Sequence, residues 1–374
     1  MNNLIRSMFP VVRENVYLNS AAVAPMPTPT VAAVLRQLND VSLNGTKNFS
    51  NWIETKESAR ELVAQLLGVR AEQIAFMRNT SDGISCAANG LTWKSSDNIV
   101  TFANEFPSNF YAWRRIRDKF GVELRTANEV DGRVDEDELC SLIDENTKVV
   151  SISAVQFSTG FRANLERIGE AAHKVGALFC VDFIQAFGAL ELNLTKLKID
   201  IAAGASHKWL LAPEGCGIFY LSDRAQKVVE PTIVGWVSVE DSWNFEDYEQ
   251  PFKQNGLAFE SGTGNAALFY GLEQSLQILS DVGICEIEQH LETLTDYFCE
   301  RLPRERYKLI SSRASSEKSQ IVSIRNLKGI DSATIFKSLE TNNIIVSQRG
   351  ENLRIAPHLF NTKADIDALI ANLP

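Results

Sequence analysis

The sequence predicts an α/β fold, a mostly parallel central sheet wrapped by helices, followed by a smaller α+β domain. Three observations carry this. Apolar runs of strand length at residues 74–77, 98–102, 147–155 and 177–181 alternate with stretches of helical apolar spacing, the order that βαβ units require. Polar residues follow the ends of those runs, where open α/β sheets hold their ligands. Beyond Ile284 the pattern shifts to alternating helices and short strands.

Composition sets the outer limits. At 374 residues and 45% apolar, the chain can bury a sizeable core, and its length favours two domains. We divide it into an arm, 1–16, a large domain, 17–262, and a small domain, 263–374. A formal charge of −10 without a long basic cluster argues against nucleic acid as a partner. The six cysteines, Cys86, Cys140, Cys180, Cys216, Cys285 and Cys299, form no C-x-x-C pair, so neither a metal site nor a disulfide framework is expected. The first ten residues lack a signal-peptide core and no apolar stretch is long enough to span a bilayer, which predicts a cytoplasmic protein without a membrane partner.

Taken in order, the small residues and prolines of 17–27 read as a close-packed loop, in which Asn19 to Ala22 form a domain-entry turn or a ligand contact. Apolar spacing predicts helices over 30–40 and 54–67. The strand 74–77 leads into Arg78-Asn79-Thr80-Ser81-Asp82-Gly83, which opens a helix through Ala88. Hydroxyls and amides at a helix start bind anions, and Thr80 or Ser81 equally suits an ordinary cap. After the strand 98–102 comes Phe106, whose ring can stack on a planar ligand or pack in the core. The strand 147–155 ends in Gln156, which either meets a ligand or braces its own loop. A helix over 165–175 stops at Gly176, and the strand 177–181 runs into Asp182, with Gln185 three residues on.

Residues 218–221 form a further strand, 234–252 an irregular, charged and aromatic excursion, and 259–265 a glycine-rich entry to a helix over 266–279. The small domain holds strands at 320–324, 344–347 and 353–356 and a helix over 363–373. Within 353–356, Arg354 alternates with Leu353 and Ile355, so it faces away from the side they bury and is either solvated or functional.

Lys208 stands out in this frame. It follows small residues and Ser206-His207, precedes Trp209-Leu210-Leu211, and leads into a glycine-rich turn. An ammonium in apolar surroundings has a lowered pKa, and the neutral amine it becomes condenses with an aldehyde to give a Schiff base. Asp182, at the end of a buried strand, points into the ligand crevice. If the ligand is pyridoxal 5′-phosphate, that carboxylate holds the ring nitrogen protonated and makes the ring an electron sink. The plainer alternative makes Asp182 a cap and Lys208 a loop lysine; together with Ser206-His207 the two favour the cofactor.

Asp182-x-x-Gln185 followed by Ser206-His207-Lys208 resembles the class V aminotransferase family of fold type I pyridoxal-phosphate enzymes, which includes cysteine desulfurases, isopenicillin N epimerase-like proteins and carbon–sulfur lyases. The resemblance spans nearly the whole chain and implies the aspartate aminotransferase-like fold. It implies that Lys208 carries the cofactor as an aldimine and, once freed, moves the substrate's α-proton. It places Asp182 at the pyridine nitrogen, Gln185 near the phenolic oxygen, Thr80 and Ser81 at the phosphate, and Ser206 and His207 in the phosphate or lysine neighbourhood; Gln156 stays open between the cofactor oxygen, the substrate and its own loop, and Phe106 between stacking on the ring and core packing. Thr263 would reach the phosphate of a partner subunit, which implies a homodimer with shared active sites.

The segment from Leu353 to Thr362 looks like the family's carboxy-terminal pattern, whose arginine binds the substrate's α-carboxylate. That assigns Arg354 to the carboxylate, with the Asn19 and Ala22 backbone beside it. An amino-acid substrate follows; amino transfer, elimination by a carbon–sulfur lyase, and epimerisation stay open, as does cofactor binding without turnover. Two departures bear on the desulfurases. They have an acid-histidine pair where this chain has Glu105-Phe106, and a nucleophilic cysteine shortly before the arginine where 346–354 has none. The resemblance therefore implies no persulfide-forming desulfurase.

Overall fold

The computed structural model describes residues 3–374. Seven strands form the central sheet: β1 (Ile74–Met77), β2 (Asn98–Phe102), β3 (Glu123–Ala127), β4 (Thr147–Ser153), β5 (Leu178–Asp182), β6 (Ile201–Ala205) and β7 (Gly217–Leu221). Their order is β1-β7-β6-β5-β4-β2-β3, with β7 antiparallel to both neighbours and every other pairing parallel. Because β7 alone is reversed, the other six strands deliver their carboxyl ends to one edge.

Both faces of the sheet are covered. In β2, Ile99 joins one core while Val100 and Phe102 join the other, and in β5 Cys180 is set apart from Phe179 and Val181 in the same way. A strand buried on both faces is apolar throughout rather than alternating, as these runs are. The covering helices include α1 (Thr28–Asn44), α2 (Phe49–Leu67), α3 (Thr80–Gly90), α4 (Pro107–Phe120), α5 (Leu165–Lys174), α6 (Ala266–Val282) and α7 (Ile284–Arg301). α1 and α2 both begin before the predicted 30 and 54; the extra residues of α1 bury nothing, whereas α2 gains a first turn with a buried Trp52.

The small domain is a four-stranded antiparallel sheet, β8 (Tyr307–Leu309), β9 (Val322–Asn326), β10 (Ser347–Arg349) and β11 (Asn352–Ile355), in the order β8-β9-β11-β10. α8 (Ser332–Thr341) and α9 (Lys363–Asn372) complete it. Its core holds Phe298, Ile324, Leu353, Ile355 and Ile366, and also Leu18 from near the amino terminus. Val16–Tyr17 pairs in parallel with Ile344–Ile345, which ties that terminal segment to the small domain.

Leu272, Leu276 and Leu279 of α6 and Ile287 and Leu291 of α7 are buried in the large core, whereas Leu294 and Phe298 of α7 belong to the small one, so α7 packs on both cores. Among the described residues no helix is long and apolar enough to cross a membrane.

Candidate active site

The carboxyl edge of the parallel strands gathers the chemistry. β1 leads to Thr80, β2 to Glu105 and Phe106, β4 to Gln156, β5 ends in Asp182, and β6 leads to Ser206, His207 and Lys208.

The turn that carries Lys208 is pinned at both ends. The Ser206 N–H donates to Cys216 O at 3.0 Å and its hydroxyl to Pro213 O at 2.5 Å, while the Leu211 N–H reaches Lys208 O and the Ala212 N–H reaches Ser206 O, both at 3.1 Å. Closing this turn puts Leu211 at φ 58°, a conformation that a non-glycine residue keeps only where its surroundings enforce it. Lys208 is 8% exposed, with its ammonium 5.6 Å from the centroid of Phe106. Burial lowers its pKa to about 8; Arg354 and Arg349 add to the drop and Asp182 opposes it. Asp182 is buried and accepts the Ile184 N–H at 2.9 Å. Burial raises its pKa to about 6, against that hydrogen bond and the Lys208 charge.

At the start of α3 the cap is Asn79, whose Oδ1 accepts the Asp82 N–H at 3.0 Å, so the expectation that Thr80 or Ser81 caps the helix is corrected. Asn79 wins because its extended backbone aims its side chain back at the first turn. Thr80 Oγ1 is thereby left buried without a partner, and the exposed Ser81 hydroxyl meets Ser108 Oγ at 2.7 Å. The close approach needs Gly217: a Cβ there would lie 2.7 Å from Asn79 N.

The two glutamines differ. Gln185 is bonded at both ends, donating from Nε2 to Ala21 O at 3.0 Å and accepting from Trp209 Nε1 at 2.8 Å, so it braces the Asn19–Ala22 turn against the Lys208 turn while its second N–H stays free for a ligand. Gln156 donates to Glu105 Oε1 at 3.2 Å, and its own Oε1 is buried with no partner. Asn19 Oδ1 is likewise unpartnered, and the Ala22 N–H closes on Asn19 O at 3.0 Å. His207 is half-buried; desolvation first, then Lys208, lowers its pKa. Phe106 is 39% exposed and meets Phe157 edge-on at 5.2 Å, so it is not a core residue.

Arg354 is buried, not solvated. Its Nε donates to Ser347 Oγ at 3.0 Å and Nη1 to Phe157 O at 2.7 Å, while Nη2 has no partner. Burial, with Arg349 adding to it, lowers its pKa to about 9. A buried cation without an acid is costly. His358 and Asn361, farther along the same segment, hold its turn: His358 Nε2 meets Trp209 O at 3.1 Å and Asn361 Oδ1 accepts the His358 N–H at 2.8 Å. Thr263 stands apart, exposed in a groove of about 660 Å³ that it shares with Arg78, Thr232 and Gly262 but not with Lys208.

Sequence reasoning passed over Glu105 as a site residue. It is buried, accepts the Ser153 N–H at 2.6 Å and the Ser153 hydroxyl, and is raised by burial to about 7. Its signal was the one used for Asp182, an acid just past an apolar strand.

Pyridoxal phosphate suits this donor set. An idle threonine hydroxyl lies at a helix start for the phosphate, an acid raised to about 6 can meet the ring nitrogen, and an amine lowered to about 8 stands beneath an open aromatic face. Among the described residues no acid, histidine and cysteine group could hold a metal ion.

Comparison with known proteins places the chain in a family. The family model for Aminotransferase class-V matches residues 16–369. A relative from Methanothermobacter thermautotrophicus, described as a probable cysteine desulfurase, is 32% identical over 301 residues, 78% of this chain and 73% of its own. The uncharacterized aminotransferase YcbU of Bacillus subtilis is 22% identical over 361 residues, 96% of this chain and 94% of its own. In fold, the chain is similar to the apo cysteine desulfurase from Thermococcus onnurineus NA1, with a TM-score of 0.89 at 24% identity over 99% of this chain and 96% of that one. It is also similar to the cystine C–S lyase C-DES in complex with cysteine persulfide, with a TM-score of 0.90 at 22% identity over 98% of each chain.

Proposed function

The chain belongs to the aminotransferase class-V family of pyridoxal-phosphate enzymes, and from that premise we propose that it acts on a free amino acid whose α-carboxylate Arg354 holds beside Lys208. One observation carries the proposal: two buried cations, Lys208 and Arg354, have no carboxylate hydrogen-bonded to them, and each feels the charge of its neighbours.

Bound here, pyridoxal phosphate supplies an aldehyde and an electron-withdrawing ring. The chain supplies the rest. Thr80, Ser81 and the first amides of α3 hold the phosphate, Asp182 keeps a proton at the ring nitrogen, and Phe106 covers one face and excludes water. Gln156 meets the ring oxygen, while Gln185, Ser206 and His207 fix the turn on which Lys208 sits. Arg354 forks onto the α-carboxylate, with the Asn19 and Ala22 backbone beside it, and Lys208 Nζ, neutral, takes the proton from the substrate's α-carbon and returns it. Thr263 is assigned to the phosphate of a second copy, since its groove does not include Lys208; a homodimer with shared sites follows.

The reaction is not proposed to pass through an enzyme persulfide. The thiolate is the nucleophilic form, yet the β10–β11 hairpin has no cysteine, and burial raises the pKa of Cys86, Cys140, Cys180, Cys216 and Cys299. The free cysteines also support a reducing, cytoplasmic setting.

Amino transfer, β-elimination from a sulfur amino acid and epimerisation all begin with removal of the α-proton. Holoprotein incubated with a panel of amino acids, with and without an oxo acid, separates them by mass spectrometry. Oxo-acid-dependent transfer identifies an aminotransferase; pyruvate, ammonia and a sulfur species identify a lyase; inverted amino acid identifies an epimerase. Turnover of none identifies a binding protein, and alanine released from cysteine with a persulfide left on the chain overturns the exclusion above.

A further inference from the structure

Glu105 takes no part in the reading above, yet it is buried against the residues that do. Its partners are all neutral: the Ser153 N–H at 2.6 Å and Gln156 Nε2 at 3.2 Å on Oε1, and the Ser153 hydroxyl on Oε2. On β5 the titratable groups that feel it are Asp182, which raises its pKa, and the Cys180 thiol; from α4 the neutral Asn109 faces it. Burial is the largest influence, and the carboxyl rests at about 7.

Gln156 is fixed at its backbone and free at one end of its amide. Its N–H donates to Phe161 O at 2.8 Å and its carbonyl accepts the Gly160 N–H at 2.9 Å. Of the side-chain amide, the NH₂ is tied to Glu105 while Oε1 is buried and unpartnered. An idle buried amide oxygen costs free energy. The amide can turn end for end about its last torsion without moving the backbone. It can do so favourably only when Glu105 carries a proton, because then the carboxyl O–H donates to Gln156 Oε1 and the NH₂ turns away from Glu105.

The direction matters for the cofactor. The ring oxygen of pyridoxal phosphate bears negative charge and needs a donor, whereas Gln156 as it stands offers an acceptor. We propose that Glu105 is a proton-coupled positioning residue: cofactor binding draws one proton from solvent onto Glu105 and turns the Gln156 amide so that its NH₂ meets the ring oxygen. No covalent bond changes in this step. The inference rests on the pyridoxal-phosphate reading.

The test is a difference, since Lys208 also loses a proton when it bonds the aldehyde and Asp182 titrates nearby. Apoprotein is titrated calorimetrically with pyridoxal phosphate in two buffers of different ionisation enthalpy, across pH 6 to 9, for wild type, Glu105→Gln and Gln156→Met. Glu105→Gln mimics the protonated acid. With an apoprotein pKa of about 7, wild type takes up about half a proton more than Glu105→Gln at pH 7. Above that pH the wild-type affinity, relative to Glu105→Gln, falls by up to about tenfold per unit. Gln156→Met abolishes the extra uptake, and it decides alone if Glu105→Gln fails to fold. Equal uptake by wild type and Glu105→Gln overturns the proposal, and so does extra uptake that survives in Gln156→Met, which would make the effect plain repulsion rather than a turned amide. A chain that acquires no visible absorption and binds no pyridoxal phosphate overturns the function reading itself; cofactor bound without the difference overturns only this inference.

Discussion

Arg60 and Arg354 are both buried arginines, and the fold treats them in opposite ways. Arg60 donates from Nε and Nη2 to Glu57 at 2.8 and 3.1 Å, and from Nη1 to Ile74 O and Glu260 Oε1, both at 2.7 Å. Glu260 in turn accepts the Phe76 N–H at 2.8 Å and the Lys56 ammonium. Burial pulls the Glu260 carboxyl up, but Arg60 and Lys56 pull it further down, to about 2. Arg354 keeps an idle nitrogen and no acid, and its charge helps to lower the Lys208 pKa to about 8. A buried charge whose partners are all within the chain is scaffold; one whose partners are missing is a site.

That distinction fails if removing an unsatisfied residue unfolds the chain, or if removing a satisfied one only slows it. The largest effect is expected at Lys208→Ala. Turnover should fall by on the order of a thousandfold or more, with the melting temperature unchanged or higher because a buried cation is gone. Borohydride should no longer fix the cofactor to the peptide containing residue 208. Steady-state kinetics and peptide mass spectrometry decide this, and retained turnover would take Lys208 out of the chemistry.

Arg60→Met comes next and acts on the fold. It leaves Glu260 buried with only Lys56 to balance it, a loss of about 3–5 kcal/mol in urea unfolding. The folded fraction should keep the wild-type KM. A loss below about 1 kcal/mol would mean that this cluster is as dispensable as an exposed pair.

The sequence showed the frame better than the vacancies. β1 and β2 lie at the limits their runs predicted, because a strand covered on both faces is mostly apolar and buries even Asn98 and Thr101 of β2. β6, Ile-Ala-Ala-Gly-Ala, was not read as a strand; its small residues answer to a neighbour, since a Cβ on Gly204 would lie 2.7 Å from the Phe183 ring. α4 escaped because Arg114, Arg115, Arg117 and Lys119 mask the short stripe of Ala112, Trp113 and Ile116. Lys208 and Asp182 were legible as oddities of type and place. The idle atoms of Thr80, Gln156 and Arg354 were not, because an absent partner is a property of three-dimensional surroundings that no spacing encodes. The bonds from Gln185 to Ala21 O and from Trp209 Nε1 were not legible either, because neither partner is near it in sequence.

A smaller effect separates the two arginines directly. Arg354→Lys and Arg354→Ala should weaken amino-acid binding by about 1.5–3 kcal/mol, tenfold or more, because a lysine cannot reproduce the fork on a carboxylate. Unlike Arg60→Met, they should leave urea stability nearly unchanged and cofactor affinity intact. The midpoint of the visible absorbance change on adding the best amino acid measures this. An unmoved midpoint would pass the carboxylate role to Arg349 or the Asn19 turn.

The last effect is set by pH, and its rate arm needs no substitution to appear. Burial lowers the Lys208 pKa to about 8, so below that value the amine is mostly protonated and cannot attack an aldehyde. The rate at which apoprotein bonds pyridoxal phosphate should therefore fall about tenfold for each pH unit below 8 and level off above it. The sign carries over to stability. A lysine whose folded pKa is depressed binds fewer protons folded than unfolded between about 8 and its ordinary value of 10.5, so stability rises with pH across that window. Below 8 the buried charge is a full penalty, and Lys208→Met apoprotein should be more stable than wild type there, with the gap closing as pH rises towards 10.5. Stopped-flow absorbance gives the rate and urea melts of the two apoproteins give the gap. A gap that widened with pH would mean that Lys208 is held as a satisfied cation, like Arg60, and that the contrast between the two clusters is false.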